Sequence, residues 1–315
     1  MSGAGGAPLP PGVDAALLAE LGALAESLAR AAGDLVRDSR PDGLGVAATK
    51  SSALDVVTAM DLAAEELITS RLRAERPDDG LLGEEGASRA GTSGLTWVVD
   101  PIDGTVNYLY RLPAHAVSVA VVAGDPRPPR WRPLAGCVHN PATGETWTAV
   151  EGAGAFLDGA RLGPVTAAPL ERALVSTGFG YTVERRTEQA RVVASLLPRV
   201  RDLRRSGSAS VDLCSVASGR LDAHYERGLQ PWDVAAGWLV LTEAGADVIG
   251  LDGEGAGEEM LVAAAPDLAV ELAAEVASVL ASVLASVQAS VQGSAAAAGP
   301  PGGGLVEAPA SPPGE

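Results

Sequence analysis

The run Val98-Val99-Asp100-Pro101-Ile102-Asp103-Gly104-Thr105-Val106-Asn107-Tyr108-Leu109-Tyr110 decides how the rest of the chain is read. An apolar stretch, Trp97-Val98-Val99, breaks at Pro101 and carries two acids three residues apart, Asp100 and Asp103, with Gly104-Thr105 directly after. A strand that ends this way presents hard oxygen ligands at its exit, and free backbone N–H groups if a helix starts there. Divalent metal and phosphate can both be held at such a place. Paired carboxylates on a surface are ordinarily solvated charge, but these close a buried-looking strand instead of dotting a polar face.

The whole chain agrees with that reading. Its 315 residues can bury a substantial core as one large or two smaller domains. A net charge of −17 and the lack of a basic stripe disfavour sequence-independent nucleic-acid binding and fit a protein that recruits cations. Cys137 and Cys214 lie far apart without the CxxC spacing of zinc or redox sites and read as reduced, half-buried small residues. The Met1 to Gly12 stretch shows no basic region followed by an apolar core, so a cytoplasmic location is expected. Val276 to Val291 is the one long weakly polar run, but its recurring Ser and Gln make it a poor membrane span.

Outward from the central motif, residues 1–12 read as a flexible lead and 13–160 as an α+β unit. The spacing Leu17, Leu21, Leu24, Leu28, Leu35 predicts a core-covering helix that ends near Arg40-Pro41. A second helix runs to about Arg76, and Thr58 with Asp61 matches a capping box that explains both residues structurally. Lys50 reads as a lone solvated lysine. Leu81-Leu82 is a short strand running into Gly83-Glu84-Glu85-Gly86, with loop from Ala87 to Gly94. Ala116 to Ala123 is a strand, and Leu134 to His139 with Glu145 to Val150 form a hairpin around Asn140-Pro141-Ala142-Thr143-Gly144.

From 161 to 275 the pattern becomes strand, helix, strand, helix, which implies an α/β layer packed on the first unit across a shared cleft. Trp232 to Ala244 is a helix with Asp233 at its start, where an Asp commonly caps. Residues 276–315 read as low complexity. The tandem ASVL, ASVL, ASVQ, ASVQ repeats of period four drift around a helix and predict no lasting apolar stripe.

Glu84, Asp100, Asp103 and Asp233 are each ordinary alone. Four carboxylates arriving at element ends, without a His cluster or paired Cys, are the ligand set of Mg²⁺ or Mn²⁺ rather than zinc. With the motifs laid out, a family resemblance follows. DPIDGT at Asp100 to Thr105, GEEG at Gly83 to Gly86 and WDVAAG at Trp232 to Gly237 resemble the three signatures of the inositol monophosphatase family, and Lys50 to Asp61 matches its spacing as well. The resemblance covers roughly residues 14 to 275.

It implies an α-β-α-β-α layered fold and Mg²⁺-dependent, lithium-sensitive hydrolysis of a phosphate monoester, in a protein that is usually a homodimer. Two to three ions are implied, with Mn²⁺ a substitute. Glu84, Asp100 and the Ile102 carbonyl would hold the first metal, and Asp100, Asp103 and Asp233 the second. A weaker third ion near Glu84 would give Lys50 a gating role. Glu84 would deprotonate the attacking water, and Asp61 would accept a hydrogen bond from the Thr105 hydroxyl. The N–H groups of Gly104 and Thr105 would take the phosphate, while Gly207, Ala209 and Glu226 would meet the polyol. His115, His139 and His224 are scattered and read as structural. Glu226 favours myo-inositol 1-phosphate. The rival readings are a relative acting on histidinol phosphate, fructose 1,6-bisphosphate or a 3′-phosphoadenosine nucleotide, or a non-catalytic scaffold. No G-x-S-x-G, Walker or G-x-G-x-x-G motif is present.

Overall fold

Asp14 caps the first helix, α1 (Ala15–Asp38), by accepting a hydrogen bond from the Leu17 N–H at 2.9 Å. In the computed structural model, which describes residues 10–50, 56–251 and 255–297 (side chains to residue 283), α1 buries Leu18, Leu21 and Leu28 together with Ala25, Ala29 and Ala32. Leu17, Leu24 and Leu35 are only half-buried and pack against the margin of the same core. The expected N-terminal lead up to residue 9, the middle of the Lys50 to Asp61 stretch and the segment from residue 298 onward lie outside the described residues.

The first sheet has eight strands: β3 (Gly80–Gly83), β4 (Ser88–Arg89), β5 (Leu95–Asp103), β6 (Ala116–Gly124), β7 (Trp131–His139), β8 (Thr146–Val150), β9 (Gly154–Leu157) and β10 (Ala160–Arg161). They run in the order β10-β9-β8-β7-β6-β5-β3-β4, antiparallel throughout except where β3 lies parallel to β5. A separate hairpin pairs β1 (Ala48–Thr49) with β2 (Val56–Val57). Ser88–Arg89, expected as loop, pairs with Leu81-Leu82 as an edge strand. The second sheet orders β12 (Asp202–Arg204), β11 (Leu174–Thr177), β13 (Ala223–Glu226), β15 (Leu261–Ala264) and β14 (Asp247–Ile249), with β12, β11 and β13 parallel.

Strand periodicity sorts these residues into layers. On β5 and β6, Trp97, Val99, Val117, Val119 and Val121 face α1 and α2 (Ala59–Glu75), whereas Val98, Ala120 and Val122 face the opposite way. That inner face meets α5 (Ala209–Ala217) and α6 (Pro231–Glu243), which are backed in turn by Leu261 and Ala263 of the second sheet. Val262, Ala264, Ala223 and Tyr225 point outward to α4 (Val183–Leu196) and α7 (Pro266–Ala297). The result is the expected α-β-α-β-α stack, in which α5 and α6 form a middle layer shared by both halves.

Two sequence expectations change. The boundary placed at residue 276 falls inside α7, and Val276, Val279 and Val283 are all buried against the second sheet's outer core. A four-residue repeat drifts only about 40° per step, so the first two repeats keep their valines on one face. The motif glycine Gly237 also gains a packing reason. A Cβ there would come within 2.9 Å of Leu213 on α5, so α6 and α5 cross at a distance only glycine allows.

Gly237→Val is expected to destabilise the protein by about 1–3 kcal/mol through overpacking of this crossing. A lower urea midpoint with an unchanged m-value would bear this out, and an unchanged midpoint would refute the tight-crossing reading.

Candidate active site

Three local devices bring the acids together. In a regular strand Asp100 and Asp103 would point to opposite faces, three residues being an odd step. Pairing with β6 runs Asp100 to Ser118 but Asp103 to Ala116, so one extra residue at Pro101-Ile102 makes a bulge and returns both acids to one side. The parallel register sets Gly83 beside Val99, and Glu84 donates its N–H to the Val99 carbonyl at 3.1 Å, which brings the end of β3 level with Asp100. Asp233 comes from the other half, in the first turn of α6, where Pro231 starts the helix and the Asp233 Oδ2 accepts from the Gln230 N–H at 2.7 Å.

Carboxylate oxygens of Asp100, Asp103 and Asp233 lie within 4.8 Å of one another. Glu84 stands outside that triad but in hydrogen-bonding contact with Asp100. Asp103 is clamped by Ser208 Oγ at 2.7 Å, Ser210 N at 2.7 Å and Ser210 Oγ at 2.5 Å, all on its Oδ2. The Asp100 Oδ1 accepts from the Ile102 N–H at 3.0 Å. Fixing one oxygen of each carboxylate on protein donors leaves the other for a ligand. The Ile102 carbonyl, also on the cleft wall, lies 3.0 Å from Thr105 Oγ1, and the same hydroxyl lies 3.0 Å from Asp61 Oδ1, which can accept its single proton. Asp61 itself is fully buried behind Thr105 and receives Thr58 N at 2.8 Å, so it reaches the cleft only through that hydroxyl.

These groups line one cleft of about 550 Å³, and Gly104, Gly207, Ala209 and Glu226 line the same cleft. Gly104 adopts φ 92°, and a Cβ there would press on the Ala114 and Gly207 carbonyls, so the turn into the short helix α3 (Thr105–Leu109) requires glycine. Lys50 is not the solitary solvated residue that the sequence suggests. Its Nζ lies 2.7 Å from Glu84 Oε1 and 2.8 Å from Glu85 Oε1. His115 and His139 are tied to the Leu112 carbonyl and to Thr146, whereas His224 sits buried behind Glu226, its Nε2 3.6 Å from that carboxylate.

The electrostatics follow from this crowding. Burial holds the carboxyls of Asp100 and Asp233 far above the ordinary range, and repulsion from Glu84 and Asp103 adds to it. Burial also raises Asp103 and Glu84, against the help of Ser210 and Ser208 in one case and Lys50 in the other. Burial, with Asp212 and Asp103 nearby, pushes Glu226 up to about 8. An all-oxygen set of buried acids that cannot ionise together is the donor chemistry a hard divalent cation satisfies.

Sequence reasoning missed the supports. Glu65 on α2 accepts from the N–H groups of Glu85 and Ala87 at 2.9 Å each and so fixes the turn that carries Glu84. Ser208 and Ser210 were not singled out, although three hydroxyls in the five residues 206–210 are a signal for a carboxylate clamp. Arg185 and Arg205 on the cleft wall were not singled out at all.

The chain matches the model of the inositol monophosphatase family over residues 17–289. It is 43% identical over 272 residues to the inositol-1-monophosphatase SuhB of Mycobacterium tuberculosis, covering 80% of this chain and 92% of that protein. It is 38% identical over 224 residues to the Nus factor SuhB of Escherichia coli, covering 70% and 82%. Among solved structures, Mycobacterium tuberculosis SuhB superposes with a TM-score of 0.69 at 42% identity, covering 83% of this chain and 97% of that one. The inositol monophosphatase of Anabaena gives 0.71 at 28% identity, covering 84% and 97%.

Carboxyls raised in the folded state are stabilising while protonated, so their contribution is present at low pH and is lost as pH rises through the folded values. Without metal, the melting temperature is expected to fall as pH rises from 4.5, the ordinary glutamate value, to about 8, the value Glu226 reaches in the fold. Millimolar Mg²⁺ or Mn²⁺ should raise the melting temperature most at the alkaline end. A metal response that did not grow with pH would contradict the shared acid cluster.

Proposed function

Because the chain belongs to the inositol monophosphatase family, we propose that it hydrolyses a small phosphate monoester with Mg²⁺, myo-inositol 1-phosphate being the favoured substrate. One observation carries this reading: acids from three separate stretches, Glu84, Asp100 with Asp103, and Asp233, meet on one cleft wall with Thr105 and the Gly104 turn. Asp100, Asp103, Asp233, Glu84 and the Ile102 carbonyl would hold the ions. Divalent ions held there would neutralise the doubly charged ester, acidify the attacking water and stabilise the leaving alkoxide.

The chain's own groups supply the rest. Glu84, 20% exposed at its side chain and anchored by Lys50 at 2.7 Å, accepts the proton of the attacking water. Asp61 holds the Thr105 hydroxyl by accepting its proton and so aims the remaining lone pair at that water. The N–H groups of Gly104 and Thr105 take a phosphate oxygen, and the positive end of α6 adds to the field where negative charge develops. Glu226 accepts hydroxyl protons of the polyol, while Gly207 and Ala209 leave room for a flat ring face beside it. Lys50 bridges Glu84 and Glu85, so its departure would open room for a further cation, which gives the loop that bears it a gating role.

A second reading rests on the Escherichia coli relative, which carries the name Nus factor. A purely non-catalytic role has no use for a carboxylate cluster that opposes folding, which favours the enzymatic reading. Turnover separates the two.

In a phosphate-release assay with Mg²⁺, myo-inositol 1-phosphate is expected to be cleaved faster than histidinol phosphate, fructose 1,6-bisphosphate or a 3′-phosphoadenosine nucleotide. A clear preference for another ester would replace the substrate and leave the chemistry in place, and inertness towards all of them would favour the non-catalytic reading. Glu84→Gln should lower kcat by about 10²–10⁴-fold, the range of general acid–base catalysis. Turnover within a few-fold of the parent would remove Glu84 from water activation.

A further inference from the structure

Asp100, Asp103, Asp233 and Glu84 each have one carboxylate oxygen held by a protein donor, and Asp212, on the same cleft lining, takes the Ser206 hydroxyl. Glu226 does not share this feature. Among the described residues no donor lies within hydrogen-bond distance of its carboxylate, and Arg205 acts on it only through its charge. A carboxylate on a rotatable side chain selects hydroxyls by direction only when something fixes its orientation.

Directly behind that carboxylate stands His224. Side chains alternate along β13, so His224 and Glu226 share the face turned to α5 and α6 while Ala223 and Tyr225 point outward. The ring is fully buried on a sheet face that otherwise packs with Leu261 and Ala263, so filling volume gives no reason for an imidazole there. The parallel register sets Ser176 of β11 beside it, with Oγ 2.8 Å from Nδ1. Asp212 Oδ2, in the first turn of α5, stands 3.9 Å from the same nitrogen, too far to bond. The other nitrogen, Nε2, has no hydrogen-bond partner among the described residues and lies 3.6 Å from Glu226 Oε2. A buried ring nitrogen left this way is unfavourable unless a further step completes it. Roughly 0.7 Å of movement by the Glu226 side chain brings the pair to ordinary N–H···O length. Burial holds the imidazole pKa down to about 3, so the ring is neutral and meets Glu226 as a hydrogen-bonding group, not as a counter-ion.

We propose that His224 is the positioning residue of the polyol wall: Ser176 donates its hydroxyl to Nδ1, and the Nε2–H so fixed donates to Glu226 Oε2 when substrate hydroxyls occupy the cleft side of that carboxylate. This deepens the reading that Glu226 accepts polyol hydroxyls, and it rests on that reading. The line from Ser176 through the imidazole to the carboxylate aims the remaining Glu226 lone pairs at the cavity. His224 thereby sets the preference for polyol phosphates over esters whose alcohol has no further hydroxyl. No proton leaves the ring, so it acts in recognition and not in bond cleavage.

The test compares kcat/KM for myo-inositol 1-phosphate and for p-nitrophenyl phosphate, which has no hydroxyl to offer, in the full chain with Mg²⁺. A glutamine amide reaches the level of Nε2, whereas an asparagine amide reaches only Nδ1. His224→Asn is therefore expected to lower the ratio of the two kcat/KM values about tenfold, the worth of one hydrogen bond to a charged group, with the loss in KM for the inositol ester. His224→Gln should keep the ratio within about threefold of the parent. An unchanged ratio in His224→Asn, or an equal loss on both esters in both variants, would overturn the role. If His224→Asn does not fold, the nitrogen-15 resonances of the His224 ring decide, read in the parent with Ca²⁺ in place of Mg²⁺ to hold off turnover. Myo-inositol 1-phosphate should shift the Nε2–H signal and inorganic phosphate should not; a signal that ignores the inositol ester would also overturn the role. A parent that shows the shift yet cleaves neither ester would keep His224 as positioning residue and remove the hydrolytic reading, whereas cleavage without the shift would do the reverse.

Discussion

Asp100, Asp103 and Asp233 hold their oxygens within 4.8 Å of each other inside the protein, and most of the fold can be understood as what makes that arrangement possible. Two like unit charges at that separation repel by on the order of 3 kcal/mol at an effective dielectric of about 20. Three such pairs approach the whole stability of an ordinary domain. The chain therefore faces a choice between keeping these acids protonated and neutralising them with cations. The raised affinities of Asp100 and Asp233 for protons are the first of those outcomes, and a bound divalent ion is the second.

Crowded acids do not stay in place unless each is fixed by something stronger than their mutual repulsion. Asp103 takes two serine hydroxyls and an amide, Asp233 takes the amide at the start of its own helix, and the Glu84 turn is gripped from behind by Glu65. Those donors sit on the rigid middle layer and its flanking sheet, since α5 and α6 are buried between two sheets. Gly237 lets the two helices close on one another, and their starts, Ser208 and Gln230, then both line the acidic cleft. Packing in the core and position in the site are thus a single constraint.

How much of this was legible in the sequence depends on the range of the interaction. The acids at element ends were readable because a carboxylate breaking an apolar run is a local anomaly; strand and helix periodicities gave an α+β unit followed by an α/β layer, and the full layered stack came only from the family resemblance that the motifs carry. Lys50 was misread as solvated because its partners, Glu84 and Glu85, are more than thirty residues away, and nothing nearby in the chain announces an ion pair. Glu65 drew no reading for the same reason, since the N–H groups it accepts from, those of Glu85 and Ala87, are about twenty residues away. The ASV repeat was read as stripeless from its period alone, but two repeats are too short for the drift to matter once Val276 has set the face. Ser88–Arg89 became a strand only because Leu81-Leu82 offered an edge.

The charge balance of the cleft also bears on how an anionic ester approaches. A chain of net charge −17 repels a phosphate at long range, and the four acids of the floor repel it further until cations cover them. Arg185 and Arg205 place positive charge on the cleft lining itself, inside the screening length of physiological salt, where local charges count for more than the total. Asp212 and Glu226 lie close enough to Arg205 to feel it but not to neutralise it, so its positive charge remains turned to the cavity. An acidic protein can in this way hold metal and draw in anions within one cleft, and that cleft exists only because both halves of the chain build it: β5 and the turn after β3 supply Asp100, Asp103 and Glu84, while α6 supplies Asp233 and α4 and the loop before α5 supply Arg185 and Arg205.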